Sequence, residues 1–469
     1  MSSTTTRGEA WAPHPYQERA IKIMIQQSAA GLLLDPGLGK TSCSLAAFKL
    51  LKKQGFADWA LVIAPLKPMY ETWPAEIKKW SNFRELTHVI LHGVEKNRRV
   101  KQKADLYLIN PAGLNWLFES KNIGELMKRG NGILIVDEST QFKDSSTQRF
   151  KLLKMHLPKF KRRYILTGTF TPNGLSDMFG QMYVLDGGNS LGKYITHFKS
   201  RYFYQPNPSY ERYRWEPQEG AFDEVVRKIS PLVLQLNAED HLKMPKLITV
   251  PDERAIRWVE LPDEAWSKYK AMEDDFISDL GDSFVVASNA AVAGGKCRQI
   301  ANGALYINQE HDYSVIHDEK IEALASLIDE LQGQPLLILY EFVHDKDRML
   351  KKWPKMPFIG GGVSQKKVSS YLTDFNAGRL PYLAGHPQSM GHGLNMQGSC
   401  RHVCWFGIPW NFEHYDQAIR RVYRQGQKSD TVFIYHIVAK DTLDEKVLGV
   451  LGHKKKNMKD LYSALKPSV

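Results

Sequence analysis

Two α/β lobes in tandem, each a parallel sheet with helices on both faces, are the fold class this sequence predicts, and three observations predict it. Apolar, β-rich runs alternate with longer amphipathic stretches through the first half of the chain. The same alternation begins again near Lys246 and fills the second half. Residues 32–41 read Leu-Leu-Leu-Asp-Pro-Gly-Leu-Gly-Lys-Thr, the pattern of a buried strand, a tight turn and a helix start. Alternation of this kind builds parallel sheets. A length of 469 residues exceeds one ordinary core and fits two or three domains. The expected division is 1–240 and 241–469.

In chain order, strands are expected at 60–64, 88–91, 106–109, 133–136 and 164–166, with an amphipathic helix at 70–80 among them. Residues 201–215 break the pattern, interleaving tyrosines with arginines around Pro206 and Pro208. That mixture fits a nucleic-acid stacking surface or a loop whose tyrosines pack on the domain. In the second half, helices are expected at 263–280 and 320–331, and strands at 336–340, 382–384, 402–406 and 431–437. Residues 358–362, with three glycines, read as a strand running into a turn, and the lysines at 454–456 as a solvated helix end.

Composition narrows the function classes. Hydrophobic residues at 43% and charged residues at 24% are a normal globular balance. No run approaches the eighteen apolar residues of a membrane span, and the N-terminus lacks an apolar signal core, so no membrane partner and a soluble, intracellular protein are expected. Four cysteines in this length are no disulfide framework. Lysine and arginine number 63 against 51 acids, a net charge of +12, which points to a polyanionic partner, nucleic acid first.

The motifs supply the chemistry. At residues 35–41, glycines let backbone N–H groups close around phosphate oxygens, Lys40 reaches the β/γ-phosphates, and the Thr41 hydroxyl holds Mg²⁺. The signature's first glycine would fall at Leu34, so the loop by itself is also compatible with chance. The run Ile133-Leu-Ile-Val-Asp-Glu138 ends a strand in two carboxylates. In a phosphate-loop enzyme Asp137 holds Mg²⁺ and Glu138 polarises the attacking water. Thr167 and Thr169 follow another strand in a hydroxyl-rich turn, suited to a relay or to a plain turn. Residues 416–427 place Gln417, Arg421 and Arg424 on one face of an expected helix. Such a face suits an ATP γ-phosphate supplied by another domain, where an arginine finger is worth about 10³–10⁵ in rate. Cys400, His402 and Cys404 share one face of an expected strand. A fourth ligand at zinc spacing is missing, so core cysteines and no metal are expected there.

Taken as a set and in this order, the motifs resemble those of helicase superfamily two, in the SWI/SNF-like branch of double-stranded-DNA translocases. Tyr16-Gln17 resembles the adenine-reading glutamine motif, residues 35–41 motif I, Ala64-Pro65-Leu66 motif Ia, Asp137-Glu138 the acidic box, and Leu166-Thr-Gly-Thr169 motif III. Gly391-His-Gly-Leu-Asn395 resembles motif V, and Trp410-Asn411 with Gln417, Arg421, Arg424, Gly426 and Gln427 resembles motif VI. Residues 187–198, 296–300, 336–342 and 442–445 are similar to further family segments.

The resemblance implies two RecA-like lobes with the nucleotide site in the cleft between them, ATP and Mg²⁺ as cofactors, and double-stranded DNA as partner. It implies nucleotide contacts from Gln17, Pro36, Gly37, Leu38, Gly39, Lys40, Thr41, Ser42 and Gly393. Asp137 shares Mg²⁺ with Thr41, Glu138 is the base, and Arg421 and Arg424 close from lobe two. DNA contacts are implied at Lys67, Gly391, Asn395, Trp410 and Asn411. A monomer is expected, with a DNA-bound protein, a nuclease or a polymerase as further partners, in the cytoplasm of a bacterium or infected host, or in a nucleus if eukaryotic. A strand-separating helicase and a DNA-binding scaffold without hydrolysis are the competing readings. Four departures stand out. The acidic box reads Asp-Glu-Ser-Thr, Leu234-Gln-Leu-Asn237 lacks paired arginines, Phe412 replaces a proline, and motif I is one residue short. No chromatin-reading module or nuclease motif is visible, as in a minimal bacterial or viral motor.

Overall fold

Leu32, Leu33 and Leu34 are buried, as a strand in the middle of a parallel sheet requires. In the computed structural model, which describes residues 9–120, 122–206, 215–278, 286–390 and 394–465, they lie in β1 (Ala29–Leu34). The chain divides into two units: Met1–Leu242 with Lys456–Val469, and Lys243–Lys455.

The first unit is built on seven parallel strands. After β1 come β2 (Trp59–Ile63), β3 (His88–Ile90), β4 (Leu106–Ile109), β5 (Gly132–Asp137) and β6 (Arg162–Thr167). A short antiparallel ribbon follows, β7 (Phe203–Tyr204) with β8 (Glu216–Pro217), and then β9 (Val233–Leu236). The sheet order is β3-β4-β2-β5-β6-β1-β9. β9 was not expected from the sequence; its four residues are buried against β1, and Gly31 leaves room for Val233, whose Cγ1 would lie 3.0 Å from an added Cβ. Most of the arginine–tyrosine stretch at 201–215 falls outside the described residues. Of its described part, Tyr202 is buried and Arg201 pairs with Glu224 at 2.6 Å.

The second unit carries β10 (Lys246–Ile248), β11 (Ile256–Val259), the hairpin β12 (Ala304–Tyr306) and β13 (Tyr313–Val315), β14 (Leu336–Leu339), β15 (Phe358–Ile359), β16 (Tyr382–Gly385), β17 (His402–Trp405) and β18 (Thr431–Ala439). Its main sheet runs β10-β18-β17-β14-β16-β15, all parallel, with β11 also against β18. The four expected strands 336–340, 382–384, 402–406 and 431–437 are β14, β16, β17 and β18 within a residue or two. Continuous apolar runs of that length, buried on both faces, leave little else for them to be.

The lysines at 454–456 do not end a helix. They lie inside a helix that runs Leu443–Ala464, because Met458, Leu461 and Tyr462 beyond them are buried. That is also why the last fourteen residues group with the first unit. No described helix is long and apolar enough to cross a membrane.

Candidate functional site

In the first unit, the residues singled out from the sequence gather at the carboxyl ends of adjacent strands, where open α/β sheets bind ligands. The chain leaves β1 at Asp35, whose N–H donates to the Leu236 carbonyl at 3.2 Å and whose Oδ2 accepts from Ala238 N at 3.0 Å. The turn is thus braced on the exit of β9. Gly37 and Gly39 stand at φ +96° and +82°, in the left-handed region that glycine alone enters without strain. A Cβ on Gly39 would lie 2.5 Å from Gln17 Nε2. That amide donates to the Leu38 carbonyl at 3.1 Å, and its Oε1 accepts from His14 N at 2.9 Å. Beside it, Tyr16 stacks on His241 with ring centroids 4.7 Å apart.

The helix Lys40–Lys53 begins from Gly39 with no side-chain cap and no acid in its first turn. Its first N–H groups and the positive end of its dipole are therefore left for an anion. Lys40 Nζ donates to the Leu34 carbonyl at 2.7 Å, folding the ammonium back over the loop, and Thr41 is partly exposed on the first turn. The Ser42 hydroxyl donates to Glu76, which also accepts from Trp80 Nε1 at 2.8 Å.

Asp137 ends β5. Its Oδ2 accepts from Trp73 Nε1 at 3.0 Å and its Oδ1 from Glu138 N at 3.1 Å. Trp73 was not foreseen, and nothing in the sequence marks it beyond being an aromatic residue in an amphipathic stretch. Glu138 takes φ 53° and ψ 62°, left-handed for a residue with a Cβ. Such backbone costs on the order of 1–3 kcal/mol and persists where the surroundings impose it. Asp137 stands opposite Leu166 in β6, and Leu166 opposite Leu32 in β1. Two strand spacings, roughly 10 Å, thus separate Asp137 from Leu32 on the strand that leads into the loop.

The turn after β6 lies against the loop. A Cβ at Gly168 would sit 3.2 Å from Pro36 Cδ and 3.6 Å from Lys40 Nζ. The Thr167 hydroxyl accepts from Thr169 N and donates to the Thr169 carbonyl, both at 3.0 Å, so it closes the turn upon itself. An uncapped helix start, a lysine, a threonine and a carboxylate around a gap kept open by glycines fit a nucleotide phosphate and Mg²⁺. Lys40, Thr41 and Asp137 are the residues that would hold them.

Lys67, on the same unit, is partly buried and forms a long ion pair with Glu71 at 3.8 Å. The remaining candidates belong to the second unit. The helix expected across residues 416–427 is corrected by the structure: it runs Phe412–Ile419, and Arg421 and Arg424 lie in the irregular segment that follows. The cause is tertiary. The Arg421 carbonyl accepts from Met396 N at 3.0 Å, the Gln427 amide takes the carbonyls of Val422 and Cys400 at 3.2 and 2.8 Å, and Gly426 turns at φ +83°. Arg424 donates to Asn395 Oδ1, which sets two candidate residues side by side. Burial lowers the pKa of the Arg424 guanidinium, and among the described residues its Nε has no hydrogen-bond partner, as suits a group awaiting an anion. Gln417 pairs instead with Glu413 at 3.3 Å.

Asn411 caps the helix Phe412–Ile419, its Oδ1 accepting from Glu413 N at 2.9 Å and His414 N at 3.4 Å, while Trp410 before it is 40% exposed. Gly391 and Gly393 lie outside the described residues. Cys400 and Cys404 are buried, and burial pushes both thiols up to about 12. His402 between them bonds Tyr435 and Gln334, and no metal-binding group of three ligands exists among the described residues.

Residues 16–303 match the SNF2-related domain, and residues 319–426 match the helicase conserved C-terminal domain. A protein described as putative protein p41, from Acyrthosiphon pisum secondary endosymbiont phage 1, is 35% identical over 472 residues, covering 98% of this chain and 99% of its own. An uncharacterized ATP-dependent helicase of Bacillus subtilis, YqhH, is 22% identical over 486 residues, covering 95% and 78%. A solved Sulfolobus solfataricus SWI2/SNF2 ATPase core in complex with dsDNA is 23% identical, covers 99% of this chain and 96% of its own, and gives a TM-score of 0.43.

Proposed function

Because this chain belongs to the SNF2-related family of superfamily-two ATPases, with two RecA-like lobes, we propose that it is an ATP-dependent translocase on double-stranded DNA. The observation that carries the reading is the phosphate loop with Asp137 two strands away, all at the carboxyl ends of adjacent parallel strands.

Lys40 leaves the Leu34 carbonyl to meet the β/γ-phosphates, and the N–H groups following Gly39 donate to the phosphate oxygens. Thr41 and Asp137 would hold Mg²⁺, which when bound would supply positive charge against the phosphates. Glu138 orients the attacking water. Arg421 and Arg424, supplied by the second lobe, stabilise the charge that develops on the γ-phosphoryl group, and Gln17 reads the adenine. Duplex DNA is contacted by Lys67, Gly391, Asn395, Trp410 and Asn411, and Gly393 contributes to the nucleotide contacts. Lobe closure with ATP and opening after hydrolysis then move the motor along the duplex. The net charge of +12 supports a phosphate-backbone partner.

The test is phosphate release with duplex, single-stranded and branched DNA at two salt concentrations, beside triplex displacement and duplex unwinding. A translocase is stimulated by duplex, displaces the triplex strand, leaves the duplex paired and weakens with salt. Unwinding without triplex displacement would favour a strand-separating helicase, and a flat signal with every DNA would favour a scaffold.

A further inference from the structure

A buried chain of hydrogen bonds in the first unit runs from the acidic box to the end of the chain. Ser139, directly after Glu138, donates through its hydroxyl to Gln181 Oε1 at 2.7 Å. Gln181 Nε2 spends its two hydrogens on the Phe170 carbonyl at 2.7 Å and the Asp177 carbonyl at 3.0 Å. Phe170 N donates to the Tyr462 hydroxyl at 3.1 Å, and that hydroxyl donates to the Gly168 carbonyl at 2.9 Å. Ser139 and Gln181 are 0% exposed and Tyr462 is 5%. Tyr462 lies near the end of the helix Leu443–Ala464, whose first turns belong to the second unit and whose end belongs to the first.

Each link has a structural reason. The helix Met178–Asp186 approaches the Ser139–Phe142 turn so closely that a Cβ on Gly180 would come within 2.2 Å of the Phe142 carbonyl. Only this approach brings Gln181 to Ser139. The amide then has donor and acceptor satisfied, which fixes its orientation. The turn it reaches is the one whose Gly168 abuts Pro36 and Lys40.

We propose that Tyr462 and Gln181 are positioning residues for hydrolysis: the Tyr462 hydroxyl, on a helix rooted in the second unit, holds the Gly168–Phe170 turn, and Gln181 ties that turn to the acidic box behind Glu138. The final helix thereby bears on the placement of the general base. In this box, the link is made by the third residue, Ser139. The inference rests on the ATPase reading above, and its test keeps the two apart.

The experiment compares the full chain with Tyr462→Phe, which keeps the ring and removes the hydroxyl, with Gln181→Met, and with the double variant. Phosphate release is measured at saturating duplex, and amide exchange is followed by mass spectrometry in peptides containing residues 139–142 and 168–171. In Tyr462→Phe, which loses both bonds of the hydroxyl, kcat falls about tenfold as the turn is less firmly held in the reacting geometry. KM for ATP stays within about twofold, since binding groups are untouched. Exchange quickens in both peptides, and the double variant is no slower than the worse single one. Wild-type kcat in Tyr462→Phe, or quickened exchange confined to 168–171, overturns the proposal. If the wild-type chain hydrolyses no ATP, the functional reading fails instead. The exchange at 139–142 in Tyr462→Phe then decides the coupling by itself: quickened exchange supports it, and unchanged exchange overturns it.

Discussion

The first unit places its candidate residues on backbone, and the second places them with side chains. Asp35 follows β1 directly and Asp137 and Thr167 end β5 and β6, so three parallel strands set their spacing before any side chain is consulted. Arg421 and Arg424 lie off any regular element, in a segment held by Met396, Asn395 and Gln427. The same unit also holds a buried polar network. Lys320 Nζ meets Asp444 Oδ2 at 2.6 Å and Asn302 Oδ1 at 2.7 Å, and Arg298 reaches the Ile408 carbonyl at 2.6 Å. A backbone-built site tolerates change around it. A site held by side-chain contacts answers to substitutions at those side chains.

The largest effect that would break this contrast lies at the sites themselves. Lys40→Ala and Glu138→Gln are expected to abolish duplex-stimulated phosphate release. Arg421→Ala is expected to lose about 10³–10⁵ in rate while nucleotide binding, followed by a fluorescent ATP analogue, stays nearly intact. Normal turnover in Arg421→Ala would remove the arginine from the machinery.

Next comes the network. Lys320 and Asp444 are essentially unexposed, so Lys320→Ala strands a buried carboxylate and should cost about 3–5 kcal/mol in urea unfolding. Lys352→Ala, which breaks an exposed pair with Glu322, should cost about 1 kcal/mol or less. Equal costs for the two would mean that the second unit does not depend on its buried charges.

Acid sharpens the comparison further. Burial holds His317, His402 and His436, all in the second unit, down to about 4. Folded, they stay neutral; unfolded, they take up protons near the ordinary 6.5. Stability is therefore unaffected above about pH 6.5 and falls as pH drops from there toward 4, by on the order of 1–2 kcal/mol per histidine at pH 5. Amide exchange at pH 7 and pH 5 should show the second unit loosening first. Loosening that begins in the first unit would contradict this. The smallest effect is at the cap: Asn411→Ala should cost about 1 kcal/mol of stability through the loss of its bonds to Glu413 and His414. Unchanged thermal unfolding would show the cap to be idle.

Much of the molecule was legible before its structure. The parallel strands, the phosphate loop and the acidic box are local patterns: an apolar run of strand length, glycines where φ must be positive, and carboxylates at a strand's end. The arginine segment was misread as helix because its spacing fits one. Propensity could not foresee that Met396 and Gln427 take its carbonyls. Trp73, Gln181 and Tyr462 left no signal, since each matters only through a partner 64, 42 or 292 residues away.

The sequence by itself determined the two parallel-sheet lobes and which residues stand at the ends of β1 and β5, because hydrophobic periodicity and backbone freedom are properties of neighbouring residues. Tertiary structure alone decided that the arginines leave their helix, that Glu138 is held left-handed, and that the last helix returns to the turn at Gly168. Those outcomes depend on which distant groups satisfy a buried N–H or carbonyl, and that is settled only when the chain has folded around them.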